Sequence, residues 1–177
     1  REYFNKSAFS PTGRHLLIWG DESAYLYDFS EGYRIKRIKL SSLPDFLGAQ
    51  DFAFLDNGEQ YAAAINKPSR LTLRFFDAAT REKRMETFID YDGTKGFVTF
   101  SPDGKKVFFS TQGAESALLL YDIESESLLA FPRPTSSITS LDFSQDGARL
   151  ATGHEDGTIN IWNISADSAG IMDWRRD

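Results

Sequence analysis

The apolar residues of this chain fall into short β-rich runs separated by turn residues. Three of the runs are apolar on both faces: Leu71-Thr72-Leu73-Arg74-Phe75-Phe76, Ala117-Leu118-Leu119-Leu120-Tyr121 and Ile159-Asn160-Ile161-Trp162. A free-standing antiparallel sheet keeps one face wet and alternates apolar with polar residues. Runs without that alternation belong to strands with neighbours on both faces. Other runs are heavily charged, as in Arg34-Ile35-Lys36-Arg37-Ile38-Lys39. That pattern suits an outer edge, where charge also discourages pairing with another sheet. This basic strand reads as a solvated edge rather than as a patch for an acidic partner.

A short phrase orders these runs. It occurs as Phe9-Ser10-Pro11-Thr12-Gly13, Phe54-Leu55-Asp56-Asn57-Gly58, Phe100-Ser101-Pro102-Asp103-Gly104 and Phe143-Ser144-Gln145-Asp146-Gly147. Its closing glycines are 45, 46 and 43 residues apart. Each phrase leads into runs that end in an aromatic residue and then Asp or Asn: Tyr27-Asp28, Phe76-Asp77, Tyr121-Asp122 and Trp162-Asn163. A period in the forties with β-rich units marks propeller blades. The expected fold is therefore all-β, a β-propeller of four-stranded antiparallel blades.

Four blades are visible, at about residues 1–40, 51–89, 96–131 and 138–177, in a single propeller domain or a fragment of one. In the last blade the strands are expected at Ile138–Phe143, Arg149–Gly153, Thr158–Ile164 and Ala169–Arg175. In the first they are expected at Tyr3–Phe9, Arg14–Gly20, Ala24–Phe29 and Tyr33–Leu40. Asp146-Gly147 and Asp156-Gly157 supply hairpin turns, because Gly takes a positive φ without steric cost. Strand order stays in phase from the first unit to the last, leaving no spare strand to latch a ring. The expectation is a fragment of a larger propeller, with a small closed ring and half-rings paired head to tail as the alternatives.

Composition narrows the function classes. The 177 residues are 41% hydrophobic and 14% aromatic, enough for a packed core, and the 15 Phe and 7 Tyr favour strands. A formal charge of −6 argues against a dedicated nucleic-acid binder, which needs clustered Lys and Arg. The absence of cysteine excludes disulfides and thiolate chemistry. No apolar run approaches the length needed to cross a bilayer as a helix.

The segment from Ile138 to Asn163 carries the closest family resemblance, in Leu150-Ala151-Thr152-Gly153-His154-Glu155-Asp156-Gly157-Thr158-Ile159-Asn160-Ile161-Trp162-Asn163. It resembles a WD-repeat blade. Blades of that family carry a hydrogen-bonded set: a His before the first strand, Ser or Thr on the second, Asp in the following turn and Trp on the third. The resemblance maps three members onto Thr152, Asp156 and Trp162, as a buried structural cluster. The His position falls near Pro134, and His154 is set aside as lying in the wrong loop. The other units are looser. Phe100-Ser101-Pro102-Asp103-Gly104-Lys105-Lys106-Val107-Phe108-Phe109 is also similar to blades of TolB-like and lactonase-like propellers.

Catalytic signatures are missing: no nucleophile elbow, phosphate loop or zinc spacing occurs, and no cofactor or metal is expected. His15 and His154 lie in different repeats. Asp90-Tyr91-Asp92-Gly93-Thr94 is faintly like a calcium loop but lacks the ligand ladder and bidentate Glu, and reads as a polar inter-blade turn.

The loops joining blades share one predicted face with the turns between second and third strands. Leu43, Phe46 and Leu47 lie on such a loop, either as anchors for a partner or folded back to cap a blade. Lys67, Arg70 and Arg133 fall on the same predicted face and offer a basic site for an acidic peptide or phosphopeptide. The leading expectation is a non-enzymatic, cytoplasmic or nuclear scaffold that binds a protein or peptide on its loop face. The alternative is part of a periplasmic or hydrolytic propeller. No nucleic-acid or membrane partner is expected. Open propeller ends, with Tyr3, Phe4, Ile171 and Trp174 beside them, predict self-association.

Overall fold

The computed structural model describes residues 3–20, 23–31, 34–40, 49–55, 58–112, 117–134, 136–164 and 170–174. These residues form four four-stranded sheets, each running through its strands in chain order. The first blade holds β1 (Lys6–Phe9), β2 (His15–Trp19), β3 (Ala24–Glu31) and β4 (Arg34–Lys39). The second holds β5 (Asp51–Leu55), β6 (Gln60–Lys67), β7 (Arg70–Asp77) and β8 (Lys83–Asp90). The third holds β9 (Thr94–Phe100), β10 (Lys106–Gln112), β11 (Leu118–Asp122) and β12 (Ser127–Ala130). The fourth holds β13 (Ile138–Phe143), β14 (Arg149–His154), β15 (Ile159–Asn163) and β16 (Gly170–Trp174). The fold is all-β, built of propeller-type antiparallel blades.

The recurrent phrase is a turn closed by its own side chains. In the third blade the Ser101 amide donates to the Lys106 carbonyl, and the Lys106 amide donates to Ser101 Oγ at 2.9 Å. Ser101 Oγ donates to Asp103 Oδ1 at 2.6 Å, and Asp103 Oδ1 also accepts the Lys105 amide. The fourth blade repeats this pattern through Ser144, Asp146, Ala148 and Arg149. In the first blade Ser10 Oγ accepts the His15 amide, while Thr12 stands in the Asp position. Gly13, Gly104 and Gly147 take φ of 69°, 71° and 69°, where a side chain is strained. The phrase recurs because each of its residues satisfies a backbone group that the tight turn would otherwise orphan.

The residue after the aromatic strand end has a matching partner. Register pairs His15 with Asp28, Lys106 with Asp122 and Arg149 with Asn163, each across the second and third strands of its blade. Lys106 Nζ donates to Asp122 Oδ2, and His15 Nε2 lies 3.7 Å from Asp28 Oδ1.

The chain divides into two compact units, Arg1–Asn66 with Arg70–Ile89, and Lys67–Ser69 with Asp90–Asp177. In the first unit the core joins Leu17, Trp19 and Leu26 of the first blade to Phe52, Phe54, Tyr61 and Phe76 of the second. Trp19 meets Phe52 edge-on at 5.4 Å, and Lys6 reaches across to Asp51 at 3.0 Å. Gly58 lies so close to Ser10 that an added Cβ would stand 2.6 Å from Ser10 Cβ, so glycine is required there. In the second unit Phe108, Leu118, Leu120 and Phe131 of the third blade pack with Ile138, Leu150 and Trp162 of the fourth.

Burial along the second strands separates the blades. β6 and β10 are buried on nearly every residue and therefore on both faces. β2 alternates buried with half-buried positions, and β14 alternates exposed with buried ones. The first and fourth blades thus have one covered face each. The first strand is also shorter than expected, starting at Lys6 instead of Tyr3, although the Asn5 amide still reaches the Trp19 carbonyl.

Candidate functional site

The polar centre of the fourth blade is a continuous hydrogen-bonded chain. Trp162 is 1% exposed on β15, and its Nε1 donates to Thr152 Oγ1 at 3.0 Å. Thr152 Oγ1 lies 2.9 Å from His154 Nε2, and His154 Nδ1 lies 3.1 Å from the Ser136 carbonyl. A carbonyl only accepts, so Nδ1 carries the imidazole proton and Nε2 accepts from the Thr152 hydroxyl. The chain is directed from indole to hydroxyl to imidazole to backbone, and every buried polar group in it is satisfied.

Two sequence expectations change here. Asp156 is not a member of the buried cluster. It is exposed, and its Oδ1 accepts from the Thr158 hydroxyl at 2.6 Å and from the Thr158 amide at 3.0 Å. Those bonds, the hydroxyl foremost, hold its carboxyl below the usual range. His154, set aside from the sequence, takes the vacant place. Thr152 and His154 are two residues apart on one strand and so project from the same face, which was the available signal. The pairing of Ile138 with His154 then brings the ring beside the connection that precedes β13.

These contacts join the connections and turns at one end of the blades. The Glu155 amide, in the β14–β15 turn, donates to the Ser137 carbonyl in the β12–β13 connection at 3.0 Å. The β6–β7 turn does likewise with the start of the β8–β9 connection. Tyr91 Oη donates to the Lys67 carbonyl, the Ser69 amide to the Gly93 carbonyl, and the Tyr91 amide to the Ser69 carbonyl. Ser69 takes φ of 61° in this tight turn, a conformation held by bonds on both sides of it. The residues read as a faint calcium loop therefore seal a turn.

The residues expected to contact a partner fall in different parts of the chain. Leu43, Phe46 and Leu47 lie outside the described residues. Lys67 and Arg133 are exposed in the second unit, Lys67 at the β6–β7 turn and Arg133 in the β12–β13 connection. Arg70 opens β7 in the first unit, its guanidinium 5.3 Å from the centre of the Phe88 ring.

Electrostatics around the blades is structural in origin. The Thr80 amide, then the Arg84 guanidinium, hold Asp77 at about 2. Lys106, then the Ser125 amide, hold Asp122 at about 2. Among the described residues, no group of three or more His, Asp or Glu side chains is placed to hold a metal ion.

Comparison with known proteins fits this geometry. Residues 125–163 match the family described as WD domain, G-beta repeat, which spans β12 to β15 and the polar chain. The target of rapamycin complex subunit wat1 of Schizosaccharomyces pombe is 33% identical over 100 residues, covering 55% of this chain and 31% of that protein. The guanine nucleotide-binding protein subunit beta of Oryza sativa subsp. japonica is 24% identical over 171 residues, covering 91% of this chain and 44% of that protein. This chain therefore spans less than half the length of either relative. Among solved structures, hydrazine synthase of Kuenenia stuttgartiensis superposes with a TM-score of 0.64 at 17% identity, over 96% of this chain and 53% of that one. A putative 6-phosphogluconolactonase of Bacteroides uniformis gives 0.63 at 16% identity, over 97% and 53%. At such identities these structures speak for the fold alone. Residues 125–163 therefore carry a WD repeat, in the last blade of a chain built of propeller-type blades.

Proposed function

We propose that this chain is a non-enzymatic interaction scaffold, cytoplasmic or nuclear, that holds a protein or peptide partner on the end where blade connections meet the turns between second and third strands. One observation carries the reading. In the blade that matches the WD repeat, the β12–β13 connection and the β14–β15 turn are tied together through the His154 ring and the Glu155 amide. Loops fixed in this way present backbone and side chains in a set geometry, so a partner pays little ordering entropy on binding. Lys67 and Arg133 supply cations at this end, and Glu155 and Asp156 supply anions, so the surface favours a partner of mixed charge. The relatives are consistent with a protein-interaction role, since one is a complex subunit and another a guanine nucleotide-binding protein subunit.

The test compares the two ends of the blades. Binding partners are captured with the full chain, with Lys67→Glu plus Arg133→Glu at the loop end, and with Lys105→Glu at the opposite turn. Partners should be lost with the first variant and kept with the second. Equal retention by both variants, or loss only with Lys105→Glu, would refute the loop-face reading. Hydrolysis of 6-phosphogluconolactone above the buffer rate would refute the non-enzymatic one.

A further inference from the structure

The outer strands of the blades are not guarded alike. β4 carries Lys36, Arg37 and Lys39, and β8 carries Lys83, Arg84 and Glu86. Charge along an edge strand discourages a further strand from pairing with it. β12, the outer strand of the third blade, reads Ser127-Leu128-Leu129-Ala130, holds no charge and is exposed at every residue. Leu128 and Leu129 are 46% and 48% accessible. The other edge of the same sheet, β9, lies against β13 of the next blade. Blades stack face to face, so a further blade would cover faces and leave the edge of β12 as it is. The backbone there is oriented for pairing. The Phe131 amide donates to the Leu118 carbonyl at 2.9 Å, and register continues that alternation through Leu120–Leu129 and Asp122–Ser127. Leu128 and Ala130 fall between these pairs, so each turns both its N–H and its C=O away from β11. Among the described residues neither has a backbone partner on that side. Glu126, at φ of 53°, and Pro132, which has no N–H, bound the free edge at these residues.

We infer that β12 docks an extended segment of a partner protein, which adds a fifth strand to the third blade, antiparallel to β12. Edge groups at this spacing are matched by another extended backbone, and antiparallel pairing is the more stable kind. Leu128 and Leu129 project to opposite faces of the sheet, so the consecutive residues of the segment beside them are apolar. The antiparallel direction brings the C-terminal end of the segment to the β11–β12 turn. Glu124 lies in that turn, 80% accessible and 3.6 Å from Lys105, and Glu126 has no cation beside it among the described residues. These carboxylates favour Lys or Arg at that end of the segment. The edge is distinct from the loop end proposed above, and neither reading depends on the other.

Anisotropy titration of a capped fluorescent peptide, Ile-Val-Ile-Thr-Lys-Lys, with the full chain tests this. Its first three residues lie opposite Ala130, Leu129 and Leu128, which brings the lysines to the turn. The peptide should bind reversibly. N-methylation of its third residue, whose N–H faces Leu128, should abolish binding. N-methylation of its second residue, whose N–H faces away, should weaken binding far less. Ala130→Pro removes one edge N–H without touching a bond to β11, and should weaken binding at least about tenfold. Leu128→Lys puts a charge on the edge and should do likewise. Far-UV circular dichroism checks that each variant is folded, and Leu128→Lys keeps the test valid if Ala130→Pro misfolds. Glu124→Lys with Glu126→Lys should shift the preference to Ile-Val-Ile-Thr-Glu-Glu. Ile35→Lys on β4 should change nothing. Absence of binding up to about 1 mM peptide would overturn the inference. So would binding indifferent to both edge variants, or a dimer through β12 of two copies that excludes the peptide.

Discussion

The third and fourth blades share one backbone plan and fill it with opposite chemistry. Counted from the closing glycine of the turn, Phe109 stands where Thr152 does, and strand register equates Tyr121 with Trp162. Val107 pairs with Tyr121 as Leu150 pairs with Trp162. In the third blade Phe109 is fully buried and packs at a tilt against Tyr91, ring centres 5.3 Å apart, so the position is held by packing. In the fourth, equally buried Thr152 links an indole to an imidazole. The buried hydrogen-bonded set is therefore not what makes a blade. The turn phrase and the pairing across the second and third strands are common to both, and the interior is free to vary so long as polar groups are satisfied or absent.

The largest test of this contrast removes the indole. Trp162→Ala should destabilise the second unit by about 3–5 kcal/mol, the usual range for deleting a buried aromatic, as read by chemical denaturation. A loss under about 1 kcal/mol would mean that the core of the fourth blade is not built around it. Thr152→Val is nearly isosteric but strands both the Trp162 N–H and His154 Nε2. It should cost about 1–3 kcal/mol, the penalty for buried groups left without partners. Smaller again is the turn itself. Ser101→Ala and Ser144→Ala should each cost about 1 kcal/mol, and nearly equally, because both blades use that hydroxyl in the same way. A marked inequality would show that the turn is not an independent unit.

Much of this was legible in the chain, because the informative residues act locally. Phe100 to Gly104 and its counterparts spell out a turn whose bonds span only five residues, so spacing alone carries the signal. The apolar two-faced run at Leu71–Phe76 likewise reports burial on both sides without reference to anything distant. The polar chain was legible only in part. Trp162 and Thr152 could be named, but the third member depends on where the connection before β13 places the Ser136 carbonyl, which no local spacing encodes. Asp156 was misassigned for the complementary reason: Thr158, two residues on, captures its carboxylate before any longer contact can form.

The smallest expected effect concerns the strand-end position, where Asp122 in the third blade corresponds to Asn163 in the fourth. Lys106 and the Ser125 amide hold the Asp122 carboxyl at about 2, below its unfolded value of 3.8. A depressed pKa means that the folded state binds the proton less readily than the unfolded chain does. The stabilisation is therefore complete above about pH 4 and lost as pH falls through about 2. The pair is partly exposed, with the Asp122 side chain 24% accessible, so solvent screening keeps the contribution modest. Asp122→Asn places the fourth blade's residue in the third blade. It should leave the neutral-pH melting temperature within a few degrees of wild type and flatten the acid limb of the stability curve between pH 4 and 2. Asn163→Asp, opposite Arg149, should steepen that limb. Thermal melts across this range read both variants. An acid limb unchanged by Asp122→Asn would mean that the ion pair adds nothing to the fold.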